Sequence, residues 1–252
     1  MKILHLDIET APNKAYVWGL WGQNISINQI EEPGYTLCWA AKWDHKKQIM
    51  FSNLRDEGED NLIHRIWNLM NEADAIVHYN GNKFDIPVLN WEFALADLPP
   101  PDPSHQIDLY RVVKRNFKIP SYKLDYVAQQ FGLGQKVHHK GMELWKECMD
   151  GDEKAWKEMA KYNKQDVRLL PRLYRKLLPW IKNHPNHALF VDDTNQMCPN
   201  CGSHDIIKKG TETTASQAYQ RYRCKSCGTP LRGKLSTLSK EKRANMLTQS
   251  KL

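Results

Sequence analysis

Apolar and polar side chains alternate through residues 2–8. Leu4, Leu6 and Ile8 fall on one side, and Ile3, His5, Asp7 and Glu9 on the other, which is the period of a strand. Residues 36–43 and 48–53 predict two more strands. Between residues 60 and 72 the period changes, with Leu62, Ile63, Ile66, Trp67, Leu69 and Met70 recurring at helical spacing. Ala75–His78 predicts a short buried strand. Asp85 and Pro87 then open a helix that runs on through Val88, Leu89 and Phe93, proline being tolerated in a first turn. Leu98-Pro99-Pro100-Pro101 breaks the chain. Further helices are predicted near 107–116, 123–131 and 153–170, with Pro171 interrupting or restarting the last and Pro179 closing it. Strands followed by helices and a further strand give an α/β domain with a mixed sheet.

The chain has 252 residues, enough for one large domain or a medium domain plus a small one. Its hydrophobic content of 41% and charged content of 26% are those of a globular protein. No apolar run approaches the roughly 20 residues of a membrane helix, so no membrane partner is expected. The segment Met1–Asp7 turns acidic too early for a secretory signal, and a cytoplasmic location is expected, with a nucleoid-associated or viral setting compatible. The net charge of +7 is unevenly spread. Residues 1–197 balance at −1, whereas residues 198–252 carry 11 Lys+Arg against 3 Asp+Glu. A neutral body with a basic terminal module suggests contact with an anionic polymer.

The cysteines divide the chain in the same way. Cys38 and Cys148 lie alone in the body and read as buried small hydrophobes. Cys198-x2-Cys201 and Cys224-x2-Cys227, 22 residues apart and each pair followed by glycine, present four thiolates to one tetrahedral structural zinc ion. A dithiol redox pair is the rival reading, and a disulfide framework would call for an export signal. Zinc would supply stability that so short a module cannot draw from a core. The ribbon's predicted arms are residues 205–209 and 217–223. In the second, Arg221, Tyr222 and Arg223 interleave basic and aromatic groups suited to nucleic-acid contact, the alternative being a solvated hairpin that docks on the body. The organisation predicted is thus an α/β domain over 1–182, a linker over 183–197, the zinc ribbon over 198–232 and a basic tail over 233–252, flexible or helical on contact.

Three groups of acids stand out. Asp7 and Glu9 are two apart on a strand, so both emerge on one face, where burial is costly unless a cation lies between them. Asp85 follows Tyr79-Asn80-Gly81-Asn82-Lys83-Phe84 where a strand turns into a helix, a place that also suits a simple capping acid. Tyr162 and Asp166 are i and i+4 on one helix face, which also suits a core tyrosine beside a solvated acid. Asp108 and Asp125 read as helix-start acids, and His138-His139 as a surface loop before a phosphate contact. Trp18, Trp21 and Phe84 read as core residues before stacking residues.

Together the three groups resemble the DnaQ-like (DEDD) 3′–5′ exonucleases. Leu6-Asp7-Ile8-Glu9-Thr10 is similar to the family's first motif, Asn80 to Leu89 to its second, and Tyr162 with Asp166 to the tyrosine form of its third. Ser121 to Ala128 looks like the segment before motif three in the exonuclease domains of family B DNA polymerases. The resemblance covers roughly residues 1–178 and implies a ribonuclease-H-like mixed sheet flanked by helices. It also implies two Mg2+ or Mn2+ ions. Asp7 would bridge them, Glu9 and Asp166 would complete the water-activating site, and Asp85 would serve the second ion. Tyr162 would orient the attacking water, and Thr10 would lie near the terminal nucleotide. The cysteine segments look like the zinc ribbons found in some transposases and other nucleic-acid proteins. The function implied is metal-dependent removal of nucleotides from single-stranded 3′ ends, DNA favoured, beside a replication or repair partner. The alternatives are a catalytically inactive nucleic-acid adaptor, an RNA exonuclease and a structure-specific endonuclease.

Overall fold

A computed structural model describes residues 1–135 and 139–248. His138, singled out in the sequence, lies outside the described residues. Contacts divide the chain into a compact unit Lys2–Tyr174 and a second that begins at Arg175.

The first unit carries strands β1 (Ile3–Thr10), β2 (Lys14–Ala15), β3 (Ile30–Glu32), β4 (Thr36–Trp43) and β5 (Met50–Asn53), then helix α1 (Leu54–Glu72) and strand β6 (Ala75–His78). Helix α2 (Asp85–Leu95), strand β7 (His105–Asp108) and helices α3 (Leu109–Asn116), α4 (Leu124–Gln130), α5 (Met142–Met149) and α6 (Glu153–Leu177) follow. The main sheet has the order β5-β4-β1-β6-β7. β1 pairs antiparallel with β4 and parallel with β6, and β6 pairs parallel with β7, so the sheet is mixed as expected. Leu4, Leu6 and Ile8 pack with Trp39 and Trp43 against Leu62, Ile66 and Met70 of α1 and Leu89 and Phe93 of α2. Trp39 keeps its ring nitrogen satisfied there by donating to the Leu62 carbonyl at 2.8 Å. A second core joins Cys38 of β4 to Leu144 and Cys148 of α5 and to Trp156, Met159 and Tyr162 of α6. Burial pushes the Cys38 thiol well up and the Cys148 thiol to about 12, which leaves both as protonated packing groups.

Three expectations change. The segment 107–116 is not all helix: residues 105–108 are the edge strand β7, and Asp108 caps α3 by accepting from the Tyr110 and Arg111 amides. α5 was not foreseen, and Gly141, at φ +68°, precedes it. Pro171 neither interrupts nor restarts α6, which runs unbroken to Leu177. Its neighbours Leu169, Leu170 and Leu173 are fully buried, and that packing outweighs the backbone bond that proline forgoes.

The second unit contains β8 (Ile206–Thr213), β9 (Ala218–Cys224), β10 (Pro230–Ser236) and the short helix α7 (Lys240–Ala244). The strands form an antiparallel sheet of order β10-β9-β8. Two arms were expected; β10 is a third and continues past residue 232 into what was read as tail. Pro230 and Gly233 hide it in the sequence, and its edge position and first-residue proline explain why it tolerates them. The unit also begins earlier than residue 183. Asn200, between the first two cysteines, donates its amide to the carbonyls of Leu178 and Ile181 at 2.8 and 3.2 Å, tying that segment to the ribbon.

Candidate metal and nucleic-acid site

The β1–β6 ladder ends at the pair His5–Val77, while β1 continues to Thr10. Its overhang carries Asp7 and Glu9. The register against β4 sets Asp7 opposite Ala40 and Glu9 opposite Cys38, and shifts between Glu9 and Thr10. α6 brings the third carboxylate. Carboxylate oxygens of Asp7, Glu9 and Asp166 all lie within 4.8 Å of one another, and Asp166 is 2% exposed. Three hard oxygen donors this close suit a divalent cation such as Mg2+ or Mn2+.

Asp85 is not in that cluster of three. Its Oδ1 accepts from the Ile8 amide at 3.1 Å, on the backbone between Asp7 and Glu9. Burial pushes its carboxyl up to about 7, against the opposing pull of the Ile8 amide. The β6–α2 turn places it there. Asn80 sits at φ +69° and donates its amide to Asp108 Oδ1 at 2.9 Å. The Gly81 amide donates to His78 Nδ1 at 3.1 Å, and the Gly81 carbonyl accepts from Phe84 and Ile86 to start α2.

Tyr162 lines a cleft of about 800 Å³ together with Asp7, Tyr79, Asn80, Tyr110, residues 120–125 and His139. Its ring meets His139 edge-on at 4.7 Å and Trp145 at 6.0 Å. The cleft's aromatic wall went unnoticed in the sequence. There Tyr79 donates its hydroxyl to the Tyr122 carbonyl at 2.6 Å, and Tyr110 packs edge-on to both tyrosine rings. Asn163 was missed too: it is fully buried and donates to Asp7 Oδ2 at 2.8 Å. Its place inside the Tyr162–Asp166 segment was the only signal, since i+1 is not a same-face spacing. Thr10 sits half-buried at the register shift. Trp18 and Trp21 are 98% and 90% exposed and Phe84 is exposed, so the core reading of all three is corrected.

In the second unit the two Cys-x2-Cys turns are built alike. Gly202 and Gly228 take φ +72° and +81°, and their amides donate to the Cys198 and Cys224 carbonyls at 2.8 and 3.0 Å. The four sulfurs lie within 4.8 Å of one another, with Cys198–Cys227 and Cys201–Cys224 at 3.6 Å. Disulfides need about 2.05 Å, whereas four zinc–sulfur bonds of about 2.3 Å imply sulfur separations near 3.8 Å. The cluster is therefore consistent with a zinc ribbon. On β9 Arg221 and Arg223 are exposed and Tyr222 half-buried. Arg221 Nε donates to the Lys209 carbonyl at 2.8 Å and Arg223 Nη1 to that of Gly228 at 3.2 Å, so each guanidinium is anchored to the hairpin.

Comparison with known proteins agrees with this architecture. A DNA polymerase of Pyrococcus glycovorans is 26% identical over 205 residues, spanning 71% of this chain and 25% of the polymerase. The chain thus spans about a quarter of the length of that relative. A shorter match, 43% identical over 58 residues, covers 17% of the chain and 14% of an uncharacterized 48.3 kDa protein of insertion element ISM1 from Methanobrevibacter smithii. In fold, the family B DNA polymerase of Pyrobaculum calidifontis superposes with a TM-score of 0.55 at 22% identity, over 71% of this chain and 24% of that one. No helix among the described residues is long and apolar enough to cross a membrane. Residues 4–178 match the RNase_H superfamily, and with its mixed sheet flanked by helices the chain belongs to that superfamily.

Proposed function

We propose that the chain is a metal-dependent 3′–5′ exonuclease of the tyrosine subclass that removes nucleotides from a nucleic-acid 3′ end, DNA being favoured over RNA. One observation carries the reading: Asp7 and Glu9 of β1 converge with Asp166 of α6, while Tyr162, one helical turn before Asp166, lines the same cleft as Asp7. Three carboxylates in so small a space repel one another and any phosphate, and divalent cations relieve both. Asp7, Glu9 and Asp166 would hold the ions, with Asp85 contributing from beside Ile8. Bound Mg2+ or Mn2+ supplies charge stabilisation at the phosphate and a more acidic water. Tyr162 would orient an attacking water through its hydroxyl, and Thr10 would lie near the terminal nucleotide. Cys198, Cys201, Cys224 and Cys227 hold one structural Zn2+, and the ribbon's Arg221, Tyr222 and Arg223 help retain the strand. The similarity to archaeal DNA polymerases supports a DNA substrate, a cytoplasmic setting and a partner in replication or repair.

The test is a 5′-labelled single strand incubated with the purified full chain and Mg2+ or Mn2+. A ladder shortening from the 3′ end is expected, with a circular strand left intact. Asp7→Ala and Asp166→Ala should each abolish the ladder while retaining the wild-type circular dichroism spectrum. Undiminished activity in both would overturn the assignment.

A further inference from the structure

We infer that Asn163 is a positioning residue for the carboxylate cluster, holding Asp7 in the orientation that receives a divalent cation. The inference rests on reading Asp7, Glu9 and Asp166 as metal ligands.

Asparagine is a poor interior helix residue, because its side chain competes for nearby backbone groups. Burying its amide is unfavourable unless the polar atoms are paired. Yet Asn163 lies fully buried in α6. The contacts it makes there explain why it is tolerated. Nδ2 donates to Asp7 Oδ2 at 2.8 Å and reaches the Asp7 main-chain oxygen at 3.3 Å. Oδ1 accepts from the Cys38 thiol at 3.9 Å. The amide's orientation follows from the chemistry of its neighbours. Both Asp7 oxygens only accept, so the NH2 group must face them, and the amide oxygen is left for the thiol donor. Cys38 stands opposite Glu9 in the β1–β4 register, so the strand that pairs with the acidic overhang also steadies the amide that steadies Asp7.

An amide has a further advantage over the alternatives at this position. It fixes one carboxylate oxygen with a directed hydrogen bond and adds no charge. A lysine or arginine would compete with the cation for Asp7, and an aspartate would add a fourth negative group. A carboxylate has about four acceptor sites, and Nδ2 engages one of them on Oδ2. Partners of this kind, one bond out from a ligand, set its orientation and basicity.

The 3.3 Å contact to the Asp7 main chain also ties α6 to β1, so loss of stability alone would not test the inference. The discriminating measurement is calorimetric titration of the full, zinc-loaded chain with Mn2+ in the absence of nucleic acid. Asn163→Leu, close in volume but without an amide, is expected to weaken Mn2+ binding at the cluster by about 10- to 100-fold. Asn163→Ser retains a donor and is expected to recover part of that loss. Cys38→Ala, which leaves the Asp7 contact in place, should weaken binding less than Asn163→Leu. If Asn163→Leu does not fold, Asn163→Ser and Cys38→Ala against wild type decide the matter. A folded Asn163 variant that binds Mn2+ as tightly as wild type would overturn the inference and leave the metal reading intact. A wild-type chain that binds no Mn2+ would overturn both.

Discussion

Gly81 packs against the buried ring of His78 so closely that a methyl group on its α-carbon would lie 2.5 Å from Cγ and 2.6 Å from Nδ1. Neither side can yield readily, because the ring is also held by Gln106 at 3.1 Å. Gly81→Ala is therefore expected to destabilise the chain by roughly 1–3 kcal/mol, read by denaturant unfolding. The same change should displace Asp85, since the Gly81 carbonyl starts α2. His78 makes a second prediction. Burial holds its pKa below the ordinary 6.5. The unfolded chain therefore takes up a proton first, and stability present above about pH 6.5 is lost as pH falls through the folded value. His78→Asn keeps an acceptor for the Gly81 amide and cannot titrate. Its stability should fall less than that of wild type between pH 7 and 5. Equal acid sensitivity in the two proteins would show that other groups set the loss. Neither role is legible in the sequence, where His78 ends a strand and Gly81 belongs to a turn.

At the scale of the element, α6 does the most. Its i, i+4 spacing put Tyr162 and Asp166 on one face, and the structure retains that. What spacing did not disclose is how the helix begins and continues. Asp152 opens it by accepting from the Ala155 amide at 2.7 Å. Asp152→Ala is expected to cost about 1 kcal/mol, visible as a melting-temperature drop of roughly 2–4 °C. Pro171 shows the opposite limit of local reading: a strong helix breaker was overruled by leucines buried on both sides of it. β10 failed to register for a similar reason, since an edge strand bears a proline and a glycine that would disrupt a central one.

The whole molecule joins an acidic cluster in one unit to a basic module in the other. Cys198 and Cys224 are the buried apolar side chains among the described residues from 198 onward, so the four-cysteine module has little core of its own, and zinc binding in such modules is worth on the order of 10–16 kcal/mol. Elemental analysis is expected to find one zinc per chain. A thiol-competing chelator should remove it and melt the ribbon's strands, while the spectrum of the Lys2–Tyr174 unit persists. Retention of the ribbon's resistance to proteolysis after zinc removal would count against a structural metal. The charge excess of residues 198–252 predicts salt-dependent binding. Replacing Arg221 and Arg223 with glutamine should reduce the salt slope of oligonucleotide binding by about 1–2. An unchanged slope would make the ribbon a structural or protein-docking element.

Sequence alone determined the mixed α/β class, the alternation that pairs Asp7 with Glu9, the Tyr162–Asp166 helix face, the two cysteine turns and the uneven charge. Each is a short-range pattern, governed by the two-residue period of a strand, the turn of a helix or the reach of a Cys-x2-Cys loop. Short-range patterns do not say which acids meet: the family resemblance pointed to the set, and the tertiary structure brings Asp7, Glu9 and Asp166 together. Asp7 and Asn163 are 156 positions apart, and only the packing of α6 on the sheet brings them to 2.8 Å. It also set Asp85 on the Ile8 amide rather than among the clustered carboxylates, and exposed Trp18 and Trp21 where composition alone suggested core. Local preferences are energies of neighbours along the chain. The pairing of buried polar groups depends on which distant segment arrives to satisfy them.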